Sequence, residues 1–149
     1  MKLSALYQIF LDCQSVTTDS RNCPDGSLFI ALKGESFNGN AFAKLALDSG
    51  CAFAIIDEAE YAVEGDKRYI LVDNCLQTMQ QLANYHRRQL GTRVIGITGT
   101  NGKTTTKELI SSVLCQAHNV LYTLGNLNNH IGVPTTLLRL KPEDRKSVV

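Results

Sequence analysis

The chain has 149 residues, of which 44% are hydrophobic and 19% charged, an ordinary composition for a globular protein able to bury a core. A formal net charge of +1 sets up no long-range field, so neither a nucleic acid nor an anionic membrane surface is implied as a partner, and any anion must be held locally. Five scattered cysteines, odd in number and without a C-x-x-C pair, suggest neither a zinc site nor a disulfide framework and fit free thiols in a reducing cytoplasm.

The N-terminal stretch MKLSALYQIFLDCQS is too short and too polar for a signal peptide or membrane span. Leu3, Leu6, Ile9 and Phe10 follow helical spacing and predict a surface helix. SVTTDSR reads as a short strand ending in polar residues, and SLFIAL (27–32) as a buried strand. Asn40 is expected to cap a helix running through Phe42, Leu45 and Ala46 to Gly50. CAFAII (51–56) and YILV (69–72) are apolar strand candidates separated by the acidic loop segment DEAEYAVEGDKR. From Asn74 to Leu90, the positions Leu76, Met79, Leu82, Ala83 and Leu90 mark a long amphipathic helix, and Arg87 and Arg88 complement the dipole at its C-terminal end. His86 reads there as a solvated or partly packed helix residue, since no second ligand type sits at metal spacing. Strands alternating with helices argue for an α/β layer structure.

Gly91-Thr92 breaks this pattern and opens a new unit: a strand over 93–97, a glycine loop, a helix from 103 to about 117 and a strand over 119–122. A polar loop, a short apolar helix and the strand-like SVV follow. One and a half βα units cannot bury both faces of a sheet, so the chain is expected to stop inside a truncated second domain, with domains at 1–90 and 91–149.

The glycine loop carries the chemistry. In GITGTNGKTTT (96–106), Gly99, Thr100, Asn101 and Gly102 can bring backbone N–H groups close to a phosphate, and the following helix N-terminus adds unpaired N–H groups and partial positive charge. Lys103 would reach the β and γ phosphates of a bound polyphosphate, and Thr104 would offer its hydroxyl to Mg²⁺. The strict pattern G-x-x-x-x-G-K-[ST] asks for glycine at 97, where this chain has Ile97.

GITGTNGKTTTKELI, followed by LYTLGNLNNHIGVPTTLLRL, resembles the Mur ligases of peptidoglycan synthesis, and among them the branch that adds D-alanyl-D-alanine to a UDP-N-acetylmuramoyl-tripeptide. TTDSR (17–21) and GSLFIALKGESFNGNAFAKLALDSGC (26–51) are similar to the same family's first domain, so the resemblance covers essentially the whole chain. It implies a small α/β domain for the UDP-linked substrate followed by the first βα units of a parallel-sheet ATPase domain. Ser20, Arg21, Lys33, Gly34, Phe37 and Asn40 would line the uridine and diphosphate end of the substrate. Residues Gly99 to Thr105, with Asn126 and Asn129 of GNLNNH, would contact ATP, and which asparagine of that loop acts, Asn128 included, stays open beside His130. Relatives often carry arginine, aspartate and histidine where this chain has Ser36, Asn38 and Asn40.

The implied reaction is ATP-dependent amide formation. The γ-phosphoryl group passes to the substrate carboxylate to make an acyl phosphate, and the amine of D-alanyl-D-alanine then displaces phosphate. A cytoplasmic, monomeric enzyme with no nucleic acid partner and no membrane insertion is expected, and the 149-residue piece alone is expected to be inactive. Alternatives are the diamino-acid-adding Mur ligase, a folylpolyglutamate synthase, which lacks the UDP-binding domain, and a non-catalytic P-loop module.

Overall fold

A computed structural model of the chain describes residues 2–125 and 127–149. The chain divides into two compact units, one ending at Leu82 and the other running from Ala83 to Val149. The boundary read from the sequence, at Gly91, and this division bracket the C-terminal half of one helix.

In the first unit, α1 (Leu3–Asp12) is followed by four strands: β1 (Val16–Thr17), β2 (Leu28–Ile30), β3 (Phe53–Ile56) and β4 (Tyr69–Leu71). They form one parallel sheet in the order β1-β2-β3-β4, with Leu28 opposite Phe53 and Ile55 opposite Ile70. Short strands with no solvent-facing side need apolar residues at every position, and all three residues of β2 are buried. Phe29, Ile55 and Ile56, with Met79 and Leu82 from the helix α3 (Cys75–Leu90), are among the most deeply buried side chains. On α1, Leu6, Tyr7 and Phe10 are buried and the last two rings stack with centroids 5.8 Å apart. Asn74 Oδ1 accepts from the Gln77 N–H at 2.8 Å and so caps α3.

One expectation is corrected here. A turn of 3-10 helix (Gly39–Phe42) precedes α2 (Ala43–Asp48), and its cap is Asn38, whose Oδ1 accepts from the Asn40 N–H at 3.0 Å. Asn40 lies inside the turn, where its amide is used for long-range contacts and not for capping.

The second unit contains β5 (Arg93–Ile95), α4 (Lys103–Leu114), β6 (Val120–Tyr122), α5 (Gly132–Leu137) and β7 (Lys146–Val148). The helix α4 ends short of the expected residue 117, in a turn at residues 115–117. All pairings are parallel, and β7 lies between β5 and β6. His86, read above as solvated or partly packed, is buried at 3% exposure, and its Nε2–H donates to the Leu140 carbonyl at 2.9 Å. That bond ties the end of α3 to the segment after α5. Burial pushes the imidazole pKa below its ordinary value.

Candidate functional site

The glycine loop leaves the sheet later than β5 itself ends. The Ile97 N–H donates to the Val149 carbonyl at 2.8 Å, and the Val149 N–H donates to the Ile95 carbonyl at 2.9 Å, so ladder pairing continues through Ile97. This explains the missing motif glycine: position 97 is paired strand, where a β-branched side chain is favoured, and the turn begins after it. Gly99 (φ +150°) and Gly102 (φ +76°) hold the turn open, and Gly102 directly precedes α4. The Thr106 N–H bonds back to the Gly102 carbonyl at 2.8 Å, so the amides of Lys103, Thr104 and Thr105 come before the helical ladder and face the loop mouth. Such amides, with the positive end of the helix dipole, make an anion cradle.

Lys103 folds over this loop, its Nζ donating to the carbonyl of Gly99 and, at 3.4 Å, to that of Thr100. Thr100, Asn101, Thr104 and Thr105 are exposed around it. Residues 99–105, taken from the sequence as the phosphate site, therefore converge on one loop mouth. Two further expectations fare differently. Asn126 lies outside the described residues. Asn129 Oδ1 accepts from the Ile131 and Gly132 amides at 3.1 and 2.7 Å, so that oxygen is committed to the entry of α5 and not to a ligand. His130 and Asn128 are exposed on the same loop.

The first unit presents a separate cluster. Loops leaving the carboxyl ends of β1, β2 and β3 carry Ser20 and Arg21, Lys33 to Asn40, and Asp57 with Glu58, respectively. The carboxyl edge of a parallel sheet is where such folds bind ligands. Arg21 forms a fork with Asp19, Nε to Oδ1 and Nη2 to Oδ2 both at 2.9 Å, and the guanidinium holds that carboxyl down to about 2. Ser20 sits in the same turn, its carbonyl facing the Cys23 thiol at 3.4 Å. After β2, the Gly34 N–H donates to the Phe37 carbonyl at 3.0 Å, and a Cβ on Gly34 would meet the Phe37 ring at 2.3 Å. The ring thus lies over Gly34 and remains 54% exposed, available for stacking and not closing the core.

Asn40 does not present itself to a ligand. It is 1% exposed, its Nδ2 donates to Asn38 Oδ1 and Asp57 Oδ1, each at 2.9 Å, and its Oδ1 accepts from the Asp57 N–H at 2.9 Å. Its expected role on the substrate is therefore corrected to holding the loop. Lys33 is also spoken for: its Nζ lies 3.0 Å from Asp57 Oδ1 and 2.8 Å from Glu58 Oε1. Those carboxylates hold the Lys33 pKa above its ordinary value. Burial alone would push Asp57 up, but hydrogen bonds from Asn40 and the Cys75 N–H, together with Lys33, outweigh it and hold the carboxyl below the usual range.

Asp57 and Glu58 are the residues that reading the sequence missed, having passed into an acidic loop segment. Glu58 Oε2 also accepts from Asn38 Nδ2 at 2.6 Å. Asn38 and Asn40 thus bind the two neighbouring carboxylates.

The family model for the Mur ligase family catalytic domain matches residues 12–87, and that for the Mur ligase middle domain matches residues 97–149. The chain belongs to the Mur ligase family. The UDP-N-acetylmuramoyl-tripeptide–D-alanyl-D-alanine ligase of Bacillus subtilis is 46% identical over 134 residues, covering 90% of this Mur ligase chain and 29% of its own length. MurF from Acinetobacter baumannii superposes with a TM-score of 0.84 at 33% identity, covering 99% of this chain and 34% of that one. MurF ligase from Thermotoga maritima, solved in complex with ADP, superposes with a TM-score of 0.81 at 29% identity, covering 93% and 32%. The chain spans less than a third of the length of the curated relative.

Proposed function

We propose that residues 1–90 bind a UDP-N-acetylmuramoyl-tripeptide and residues 91–149 open the ATP-binding domain of a cytoplasmic, monomeric ligase that adds D-alanyl-D-alanine to it. The observation that carries this reading is the convergence of residues 99–105 on one loop mouth at the start of α4. The ADP seen in the Thermotoga maritima relative supports the nucleotide site, and the activity named for the Bacillus subtilis relative favours this reading over the diamino-acid-adding alternative.

In that reaction the barrier comes from bringing ATP and a carboxylate together, two anions that repel. The amides of Lys103 to Thr105 and the α4 dipole offset phosphate charge without reorganising. The Lys103 ammonium, already held over the loop by two carbonyls, swings by side-chain rotation onto the transferring phosphate. Mg²⁺ fits the residues present: Thr104 has an exposed hydroxyl at the cradle, and this ion usually takes one or two protein ligands with phosphates and waters completing its shell. When bound, Mg²⁺ supplies positive charge to the phosphates. In the first unit a diphosphate would have to draw Arg21 away from Asp19 and Lys33 away from Asp57 and Glu58, while Phe37 offers an exposed ring for uracil.

The test is Lys103→Ala in a full-length ligase carrying this sequence. Loss of a charge-stabilising donor lowers turnover by roughly two or more orders of magnitude. Near-normal turnover would sink the reading.

A further inference from the structure

A second lysine lies one helical turn beyond Lys103, and nothing in the reading above uses it. Lys107 is 6% exposed on α4. An ammonium taken out of water is costly unless its N–H groups find acceptors. Lys107 finds two of them away from its own helix, Nζ donating to the Thr123 carbonyl at 2.5 Å and the Gly125 carbonyl at 3.3 Å, and on α4 itself it lies 3.1 Å from Glu108 Oε1. An apolar side chain would fill a buried helix position without that cost. The amine instead grips the backbone just after β6, and no apolar group can do that.

The segment it grips is otherwise exposed, from Leu124 through His130 among the described residues. It is pinned again downstream. Asn129 Oδ1 holds the amides of Ile131 and Gly132, and Gly132 approaches the Leu127 backbone so closely that a Cβ there would sit 2.5 Å from it. The loop leaves the carboxyl end of β6, and the glycine loop leaves the carboxyl end of β5, at the same edge of one parallel sheet. Both are therefore fastened to α4, one through Gly102 and Lys103, the other through Lys107.

We propose that Lys107 is a positioning residue of the nucleotide site, holding the backbone at Thr123 and Gly125 on the helix that carries Lys103 so that the exit from β6 and the phosphate cradle move as one body. This rests on the nucleotide reading of residues 99–105.

The test compares wild type with Lys107→Met in the full-length ligase, by hydrogen exchange of peptides covering 123–133 and by ADP affinity with Mg²⁺. The methionine keeps an unbranched four-atom stem and loses the ammonium. The expected result is at least tenfold faster exchange in that segment, with β5 and β7 as protected as in wild type, at least tenfold weaker ADP binding, and an unchanged KM for the UDP-linked substrate. Wild-type exchange in the segment, or wild-type ADP affinity, would overturn the inference. Should the methionine variant fail to fold, the unsubstituted enzyme decides: residues 123–133 gain protection when ADP binds, and no gain sinks the proposal. An unsubstituted enzyme that binds no ADP sinks the nucleotide reading itself, whereas equal binding by both proteins sinks only the role of Lys107.

Discussion

Asn40 and Asp57 hold each other in a closed pair: Asn40 Nδ2 donates to Asp57 Oδ1 and the Asp57 N–H donates back to Asn40 Oδ1, both at 2.9 Å. The pair joins the loop after β2 to the end of β3, and Asp57 Oδ2 extends it to the start of α3 through the Cys75 N–H at 3.1 Å. Asn40→Ala leaves a nearly buried carboxylate and a backbone N–H each short of a partner. The expected cost is about 1–3 kcal/mol, read as a lower urea midpoint at unchanged slope. An unchanged midpoint would show the pair to be dispensable.

Glu58 competes with any diphosphate for Lys33. Two carboxylates around one ammonium leave the local charge negative, which opposes an incoming anion. Glu58→Gln removes one of them while Asp57 still orients the lysine. UDP-linked substrate is expected to bind more tightly, by roughly two- to fivefold, the scale of an exposed ion pair, and the gain should shrink at high salt. Titration calorimetry at two ionic strengths measures it, and weaker binding by the variant would mean that Glu58 helps the substrate.

Gly102 in the loop and Gly96 in the strand before it make opposite predictions. Gly102 adopts φ +76°, so Gly102→Ala places a Cβ in the left-handed region at a cost of roughly 1–2 kcal/mol and displaces the cradle, which should weaken ADP binding at least tenfold. Gly96 has no such φ, and a Cβ there meets nothing within 4 Å. Gly96→Ala is expected to bind ADP as wild type does. Equal loss in both variants would mean that the loop changes shape on binding.

His86 makes the second unit sensitive to acid. Its folded pKa lies below the unfolded value of about 6.5, so the unfolded chain takes up a proton first and stability falls as pH drops below that value. Above it the imidazole is neutral in both states and contributes no slope. The melting temperature of the wild type is expected to fall between about pH 7 and pH 5, and to fall less in His86→Gln, which keeps a donor for the Leu140 carbonyl without titrating. Identical slopes would remove His86 as the cause.

Much of this protein is written locally. Helical spacing in α1 and α3, unbroken apolar runs in β2 and β3, and a strand, glycines and lysine in direct succession each depend on residues within a turn or two of one another, so their order along the chain suffices. The glycine loop between strand and helix was legible for that reason. Position 97 was not, because its place in the sheet comes from Val149, a strand partner far along the chain. The same distance hid the partners of Lys33 and Asn40, the insertion of β7 between β5 and β6, and the grip of Lys107 on residues 123 and 125. Whether a polar side chain meets a ligand or a neighbouring loop depends on which strand ends lie side by side, and hydrogen-bonding capacity used inside the fold is not available outside it. Asn40 spends its amide on Asp57, whereas Thr104 keeps its hydroxyl exposed, and no feature of the two residues or their immediate neighbours distinguishes those fates.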